Sequence, residues 1–172
     1  RKAAGFGVAS IKHDKERYEH KYEYCDLLIT GSGPSGLASA YAAAKNGARV
    51  ILAEDKPRFG GSLLTSEVTI GNQSGREWAN SIITELKEMP NVIVKNRAQV
   101  FGYYDHNMLV MSERINDHLP KSKKYSPKQR LWYIRAKEVV ISSGSIERPL
   151  VFGNNDTPGV VLSSAAKEYL KV

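Results

Sequence analysis

Three glycines and one acid carry the chemistry for which this sequence is most readily read. Gly31, Gly33 and Gly36 stand in the spacing G-x-G-x-x-G, and Glu54 follows 18 residues after Gly36. A glycine at 31 permits a tight turn out of a strand. One at 33 leaves room for a pyrophosphate to approach the backbone, and one at 36 lets a following helix pack closely on the strand. The amides near Pro34 and Ser35 then face the phosphates with the positive end of the helix dipole behind them. Glu54 can accept hydrogen bonds from adenosine ribose hydroxyls, and its charge would repel a 2′-phosphate. Asp55 adjoins it and can face the same ribose through its amide or carboxylate. NAD or FAD is therefore favoured over NADP, although Lys56 and Arg58 are basic residues that could accommodate a phosphate.

Two further segments fit such a site. Gly60-Gly61 lies six residues beyond Glu54, a spacing typical of flavoproteins with two dinucleotide sites, and would let the backbone pass under the bound molecule. Ser62 can offer a hydroxyl to phosphate or ribose. Ser142-Ser143-Gly144 resembles the Ala-Thr-Gly turn of that class, with serine in the first two places. No catalytic constellation accompanies these motifs. His106 reads as a hairpin-turn residue within Tyr103-Tyr104-Asp105-His106-Asn107, with a general base as the alternative. His13, His20 and His118 stand alone in polar segments. Cys25 is the only cysteine, so the chain supplies neither an internal disulfide nor the cysteine pair of a disulfide-relay flavoprotein. A reducing, cytoplasmic setting and no metal site are expected.

The elements that must position these residues are legible around them. Leu27–Thr30 is a short apolar run, as in a strand buried on both faces. Leu37–Asn46 is an alanine-rich helix closed by Gly47, and Arg49–Ala53 is a second strand. The result is a right-handed βαβ unit with parallel strands. Residues 57–61 read as a loop, Arg76–Met89 as a helix stopped by Pro90, and Val92–Val94 as a third strand. Ala98–Tyr104 and Met108–Glu113 flank a turn as a hairpin. Leu131–Ala136 is another strand, and Val139–Ile141 a fourth apolar one leading into Ser142. The fold class expected is α/β: a Rossmann-like dinucleotide-binding domain with a parallel sheet and a β-meander or hairpin insertion. Residues 1–24 read as an N-terminal arm and 25–172 as the domain. The first residue, Arg1, and an uncapped helix from Ser163 to Val172 suggest a piece of a longer chain.

Charge excludes other classes. The chain of 172 residues carries a net +7. Eight cations and a single acid, Asp117, lie between Arg114 and Lys137, and the remaining 17 cations and 17 acids cancel. A basic surface confined to one stretch suits a docking loop for an acidic partner better than nucleic acid. No apolar run is long enough to cross a bilayer, and no signal-peptide pattern is present.

Longer segments resemble one family. Arg1-Lys2-Ala3-Ala4-Gly5-Phe6-Gly7, Cys25-Asp26-Leu27-Leu28, Arg58-Phe59-Gly60-Gly61-Ser62-Leu63 and Val100-Phe101-Gly102-Tyr103-Tyr104-Asp105-His106-Asn107 are similar to the alpha subunit of heterotetrameric sarcosine oxidase. Ile146-Glu147-Arg148-Pro149-Leu150-Val151-Phe152 and Asn154-Asn155-Asp156-Thr157-Pro158-Gly159-Val160 continue the likeness. Subunits of opine, proline and cyanide-forming dehydrogenases share parts of it. The resemblance implies a noncatalytic NAD on this subunit, with FAD or a simpler nucleotide as alternatives. It places the NAD contacts at Ser35, Glu54, Asp55, Lys56, Ser62 and Val100. It also implies FAD, FMN and tetrahydrofolate elsewhere in a complex with beta, gamma and delta subunits, whose reaction is oxidative demethylation of sarcosine to glycine. A self-sufficient NAD- or FAD-dependent reductase and a nucleotide-free scaffold are the other classes the residues allow.

Overall fold

The computed structural model describes residues 11–119 and 126–170. Its framework is a six-stranded sheet of β1 (Tyr18–Thr30), β2 (Val50–Ala53), β5 (Val92–Lys95), β6 (Ala98–Tyr104), β7 (Met108–Arg114) and β8 (Gln129–Ile141), in the order β5-β2-β1-β8-β7-β6. The first four strands of that order are parallel, and β7 and β6 run antiparallel beside β8. Helices α1 (Pro34–Lys45), α2 (Gly75–Glu88) and α3 (Ser163–Tyr169) complete it, with a short hairpin of β3 (Thr69–Ile70) and β4 (Gln73–Ser74) ahead of α2. This is the α/β arrangement with a mainly parallel sheet that the sequence leads one to expect.

The parallel strands are apolar on both faces because both faces are covered. Ile29, Val50 and Leu52 point to one side, where α1 and α2 bring Leu37, Ala40, Ala79, Ile82 and Leu86. Leu28, Ile51 and Ala53 alternate to the other, where β6 to β8 bring Ala98, Met111, Trp132 and Ile134. The period of two thus separates two cores. Alanines on α1 keep its axis close to the sheet. α2 is fixed at its start by a reciprocal box: the Ser74 hydroxyl accepts from the Glu77 amide, and the Glu77 carboxylate accepts from the Ser74 amide, a device worth about 1 kcal/mol.

Two elements differ from the sequence expectation. β1 begins at Tyr18, so residues 18–24, assigned to the arm, lie in the sheet and pair with Gln129–Arg135 of β8. The cause is cross-strand polarity, since Arg130 donates to Glu19 at 2.9 Å and Lys21 lies over the Trp132 ring. The two strands read at 131–136 and 139–141 are one continuous β8 of 13 residues. Lys137 and Glu138, which look like a break, are exposed strand residues. It pairs parallel with β1 along its length, and its first half, Gln129–Arg135, also pairs antiparallel with β7, so β8 joins the parallel and antiparallel parts of the sheet. Residues 120–125, with Lys121, Lys123 and Lys124 of the basic stretch, and residues 1–10 of the arm lie outside the described residues.

Candidate dinucleotide-binding site

β1, β2 and β8 finish side by side, and the loops after them form the site. Gly31 leaves β1 with φ 95°, and its amide donates to the Ala53 carbonyl at 2.8 Å. A Cβ at Gly31 would overlap the Ser142 carbonyl at the end of β8, and one at Gly36 would overlap the Gly31 carbonyl. Those two glycines are demanded by packing within the chain. Gly33 is not, because a Cβ there would meet nothing within 4 Å. Space beside Gly33 is what a close-approaching phosphate requires, so the structure separates the two roles inside one motif.

Gly33 is also the N-cap of α1, and no side chain caps that helix. Pro34 supplies no amide, Leu37 donates back to the Gly33 carbonyl at 2.9 Å, and the amides of Ser35 and Gly36 have no intrahelical acceptor. The end of α1 therefore presents donors and the positive end of its dipole to the open side of Gly33. Behind it, Gly60 donates to the Ser32 carbonyl at 3.0 Å, and a Cβ on Gly61 would come within 2.9 Å of the Gly33 Cα. The Gly60-Gly61 pair thus backs directly onto the first glycine turn, with Ser62 exposed in the short 3-10 helix Gly61–Leu64.

Glu54 is buried at the end of β2, with 8% of its surface exposed. Its Oε2 accepts from the Ser32 amide at 2.9 Å and the Ser32 hydroxyl at 2.5 Å, and its Oε1 accepts from the Lys56 amide at 2.9 Å. A carboxylate has about four acceptor positions. Three are used within the protein, so one ribose hydroxyl can be received as the site stands. A second needs the Ser32 hydroxyl to turn away. Ser32 is the residue that sequence reasoning missed: a hydroxyl between two motif glycines, buried against the acid that closes the next strand.

The other residues singled out from sequence fall into two groups. Ser142 joins the site through its amide, which donates to Thr30 at 2.8 Å, and Ser143 and Gly144 are exposed beyond it. Val100 is half-buried on β6, beside a bulge and two residues from Ala98, whose amide donates to the Glu54 carbonyl. Asp55, by contrast, is turned to β7. Its carbonyl and Oδ1 accept from Arg114 at 2.6 and 3.1 Å. That partnership joins residues 59 positions apart and left no local signal. Lys56 is exposed. His106 lies in the β6–β7 turn with φ 58°, and its carbonyl accepts from Arg135. Burial pushes the Cys25 thiol up to about 12, which keeps it protonated and unreactive.

The mainly parallel sheet with its glycine turn, uncapped helix start and buried strand-end acid defines a Rossmann-like domain of the FAD/NAD-binding fold. The chain belongs to the FAD dependent oxidoreductase family, whose model matches residues 26–120. It is 44% identical over 170 residues to the sarcosine oxidase alpha subunit of Rhizobium meliloti (strain 1021), covering 99% of this chain and 17% of that protein. Against the sarcosine oxidase alpha subunit of Corynebacterium sp. (strain U-96) it is 37% identical over 170 residues, covering 97% of this chain and 18% of that one. An opine oxidase subunit of Agrobacterium tumefaciens (strain Ach5) is 27% identical over 157 residues, with 87% and 29% covered. The chain thus spans less than a fifth of the sarcosine oxidase subunits it matches.

Among solved structures, the L-proline dehydrogenase of P. horikoshii has a TM-score of 0.62 at 23% identity, covering 87% of this chain and 28% of that one. The thioredoxin reductase of T. acidophilum has a TM-score of 0.54 at 16% identity, with 77% and 40% covered. Both show the fold alone. No helix among the described residues is long and apolar enough to cross a membrane.

Proposed function

We propose that this chain is the dinucleotide-holding part of the alpha subunit of a sarcosine-oxidase-type complex, and that the nucleotide held is NAD. The observation that carries the binding role is the open side of Gly33, set between the donors of α1 and the Glu54 carboxylate. The pyrophosphate rests against Gly33 and receives hydrogen bonds from Ser35 and Gly36, with Gly61 behind. Glu54 takes the adenosine ribose, Ser62 offers its hydroxyl to phosphate or ribose, and the Val100 backbone meets the adenine edge. Gly144, exposed beyond the end of β8, borders the nucleotide in this reading. A bound dinucleotide supplies hydride-accepting chemistry in oxidoreductases, whereas in this reading the chain's own residues bind and orient it.

The identities above support the complex. In this reading flavins on a beta subunit oxidise sarcosine, a tetrahydrofolate site lies in another part of the alpha subunit, and gamma and delta subunits complete a cytoplasmic assembly. NAD is preferred over NADP chiefly through Glu54, because Arg114 already neutralises Asp55 and takes it away from the ribose. FAD is the second reading, favoured by the family match over residues 26–120. Extraction of the nucleotide from the purified full-length protein, with identification by mass, decides between them. NAD is expected, FAD selects the second reading, and NADP overturns the role given to Glu54.

A further inference from the structure

The hydroxyl of Ser32 stands on Glu54 where a ligand donor could otherwise sit. Oε2 of Glu54 accepts from both the amide and the hydroxyl of Ser32, at 2.9 and 2.5 Å. Oε1 accepts from the Lys56 amide at 2.9 Å. Each carboxylate oxygen has about two acceptor positions. Oε2 is therefore filled from within the chain, and the position left over belongs to Oε1.

That hydroxyl is held from both ends. Its oxygen accepts from the Gly60 amide at 3.3 Å while its proton goes to Glu54. The lone pairs thus face the second glycine turn and the proton faces the acid. These are the hydroxyl's hydrogen bonds among the described residues, and Ser32 has no exposed surface. Turning the proton off Oε2 would leave a buried donor unpaired, which is the costly state for a polar group. Ser35 and Ser62 differ, since both are exposed and their hydroxyls can turn to meet a ligand.

We propose that Ser32 determines how the adenosine ribose is recognised: it limits Glu54 to one ribose hydroxyl, so that the second is not read by the acid. The inference rests on the reading of this cleft as a dinucleotide site. Two neighbouring ribose hydroxyls can bridge a carboxylate, one on each oxygen, only where each oxygen keeps a free position. Alanine at 32 would leave Oε2 such a position. Serine replaces the second ribose bond by an internal one, which joins the acid to the Gly60 turn whether or not nucleotide is bound. A second hydroxyl meeting the neutral Ser62 instead would make a weaker bond than one to a carboxylate.

The test is titration calorimetry on the full-length protein stripped of nucleotide. The probes are NAD and its two analogues lacking either the 2′- or the 3′-hydroxyl of the adenosine ribose. If FAD is the nucleotide retained on purification, the corresponding FAD analogues replace them. In the unsubstituted protein one analogue should bind at least about tenfold more weakly than the parent nucleotide, and the other within about threefold of it. In Ser32→Ala both analogues should fall at least about tenfold below the parent. Each ratio is taken within one protein, so a general loosening of the loop in the variant cancels. Similar losses for both analogues in the unsubstituted protein, large or small, overturn the proposal even if the variant does not fold. A variant that keeps the unsubstituted pattern overturns it as well. Failure of NAD and FAD alike to bind refutes the dinucleotide reading and this inference with it, whereas the other adverse results strike the inference alone.

Discussion

Replacing Glu54 with Gln should loosen the protein even when no nucleotide is present. A carboxylate that only received ribose hydroxyls would leave the empty protein indifferent to this change. In the structure, however, it ties β2 to the glycine turn through Ser32 and to its own loop through Lys56. The single oxygen of the amide can still accept both bonds from Ser32, now from a neutral group. Its NH2 then confronts the Lys56 amide, donor against donor. Losing the charge on two bonds costs about 1 kcal/mol each, and leaving the part-buried Lys56 amide without its acceptor about 1 kcal/mol. Allowing for partial rearrangement, the expected loss is about 2–4 kcal/mol. Hydrogen exchange on nucleotide-free protein reads this as a roughly 30- to 900-fold rise in opening of the segment around residues 54–60. Ser32→Ala, which removes the hydroxyl's bond to Glu54 and its weaker one from the Gly60 amide, should show a smaller rise. Exchange within about twofold of the unsubstituted protein in Glu54→Gln would refute the internal role of the carboxylate.

The glycines should separate in the same way: Gly36→Ala should destabilise by about 3 kcal/mol or more in urea unfolding, whereas Gly33→Ala should leave stability nearly unchanged and lower the retained nucleotide, read by mass. Asp55→Asn should alter nucleotide affinity by no more than about fivefold in calorimetry, because its exposed pair with Arg114 is worth at most about 1 kcal/mol. Glu147 accepts from Ser163 and Ser164 at the start of α3, which depress its carboxyl to about 2. That anchor is complete above the ordinary value of 4.5, weakens as pH falls below it and is gone below about 2. Exchange across 163–169 should follow that window, and Glu147→Gln should abolish it. Cys25 should resist alkylation at pH 8 in the folded protein, with labelling only at the rate of unfolding.

The dinucleotide motif was legible because its signals are local: an apolar strand, glycines at fixed offsets, an alanine-rich helix and an acid at the next strand end. α2 was legible for the same reason, with Trp78, Ile82, Ile83 and Leu86 at helical spacing and Pro90 beyond. What escaped depends on partners far along the chain. The first half of β1 reads as a polar arm until Arg130 and Trp132 are set against Glu19 and Lys21. The pairing of Asp55 with Arg114 of β7, 59 positions away, left no local signal either. Lys137 and Glu138 look like a gap between strands because both are charged, yet both stand at exposed positions of β8, where charge is tolerated. The inward work of Glu54 needed Ser32 in three dimensions, although a hydroxyl inside the glycine turn is a signal that can be sought elsewhere.

The long pairing of β1 with β8 also dictates an order of events during synthesis. Tyr18 lies opposite Gln129, and Glu19 and Arg130, one pair further along, are 111 residues apart. While the ribosome is still making the intervening chain, β1 can pair with β2, and β6 with β7, but the other edge of β1 stays open. Such distant closure is slow, and an unpaired edge is a template for another chain. Alternating Glu19, Lys21 and Glu23 along that waiting edge place charge where a neighbouring nascent chain would otherwise add. The ion pairs that lock the finished sheet therefore also guard it before its last strand emerges.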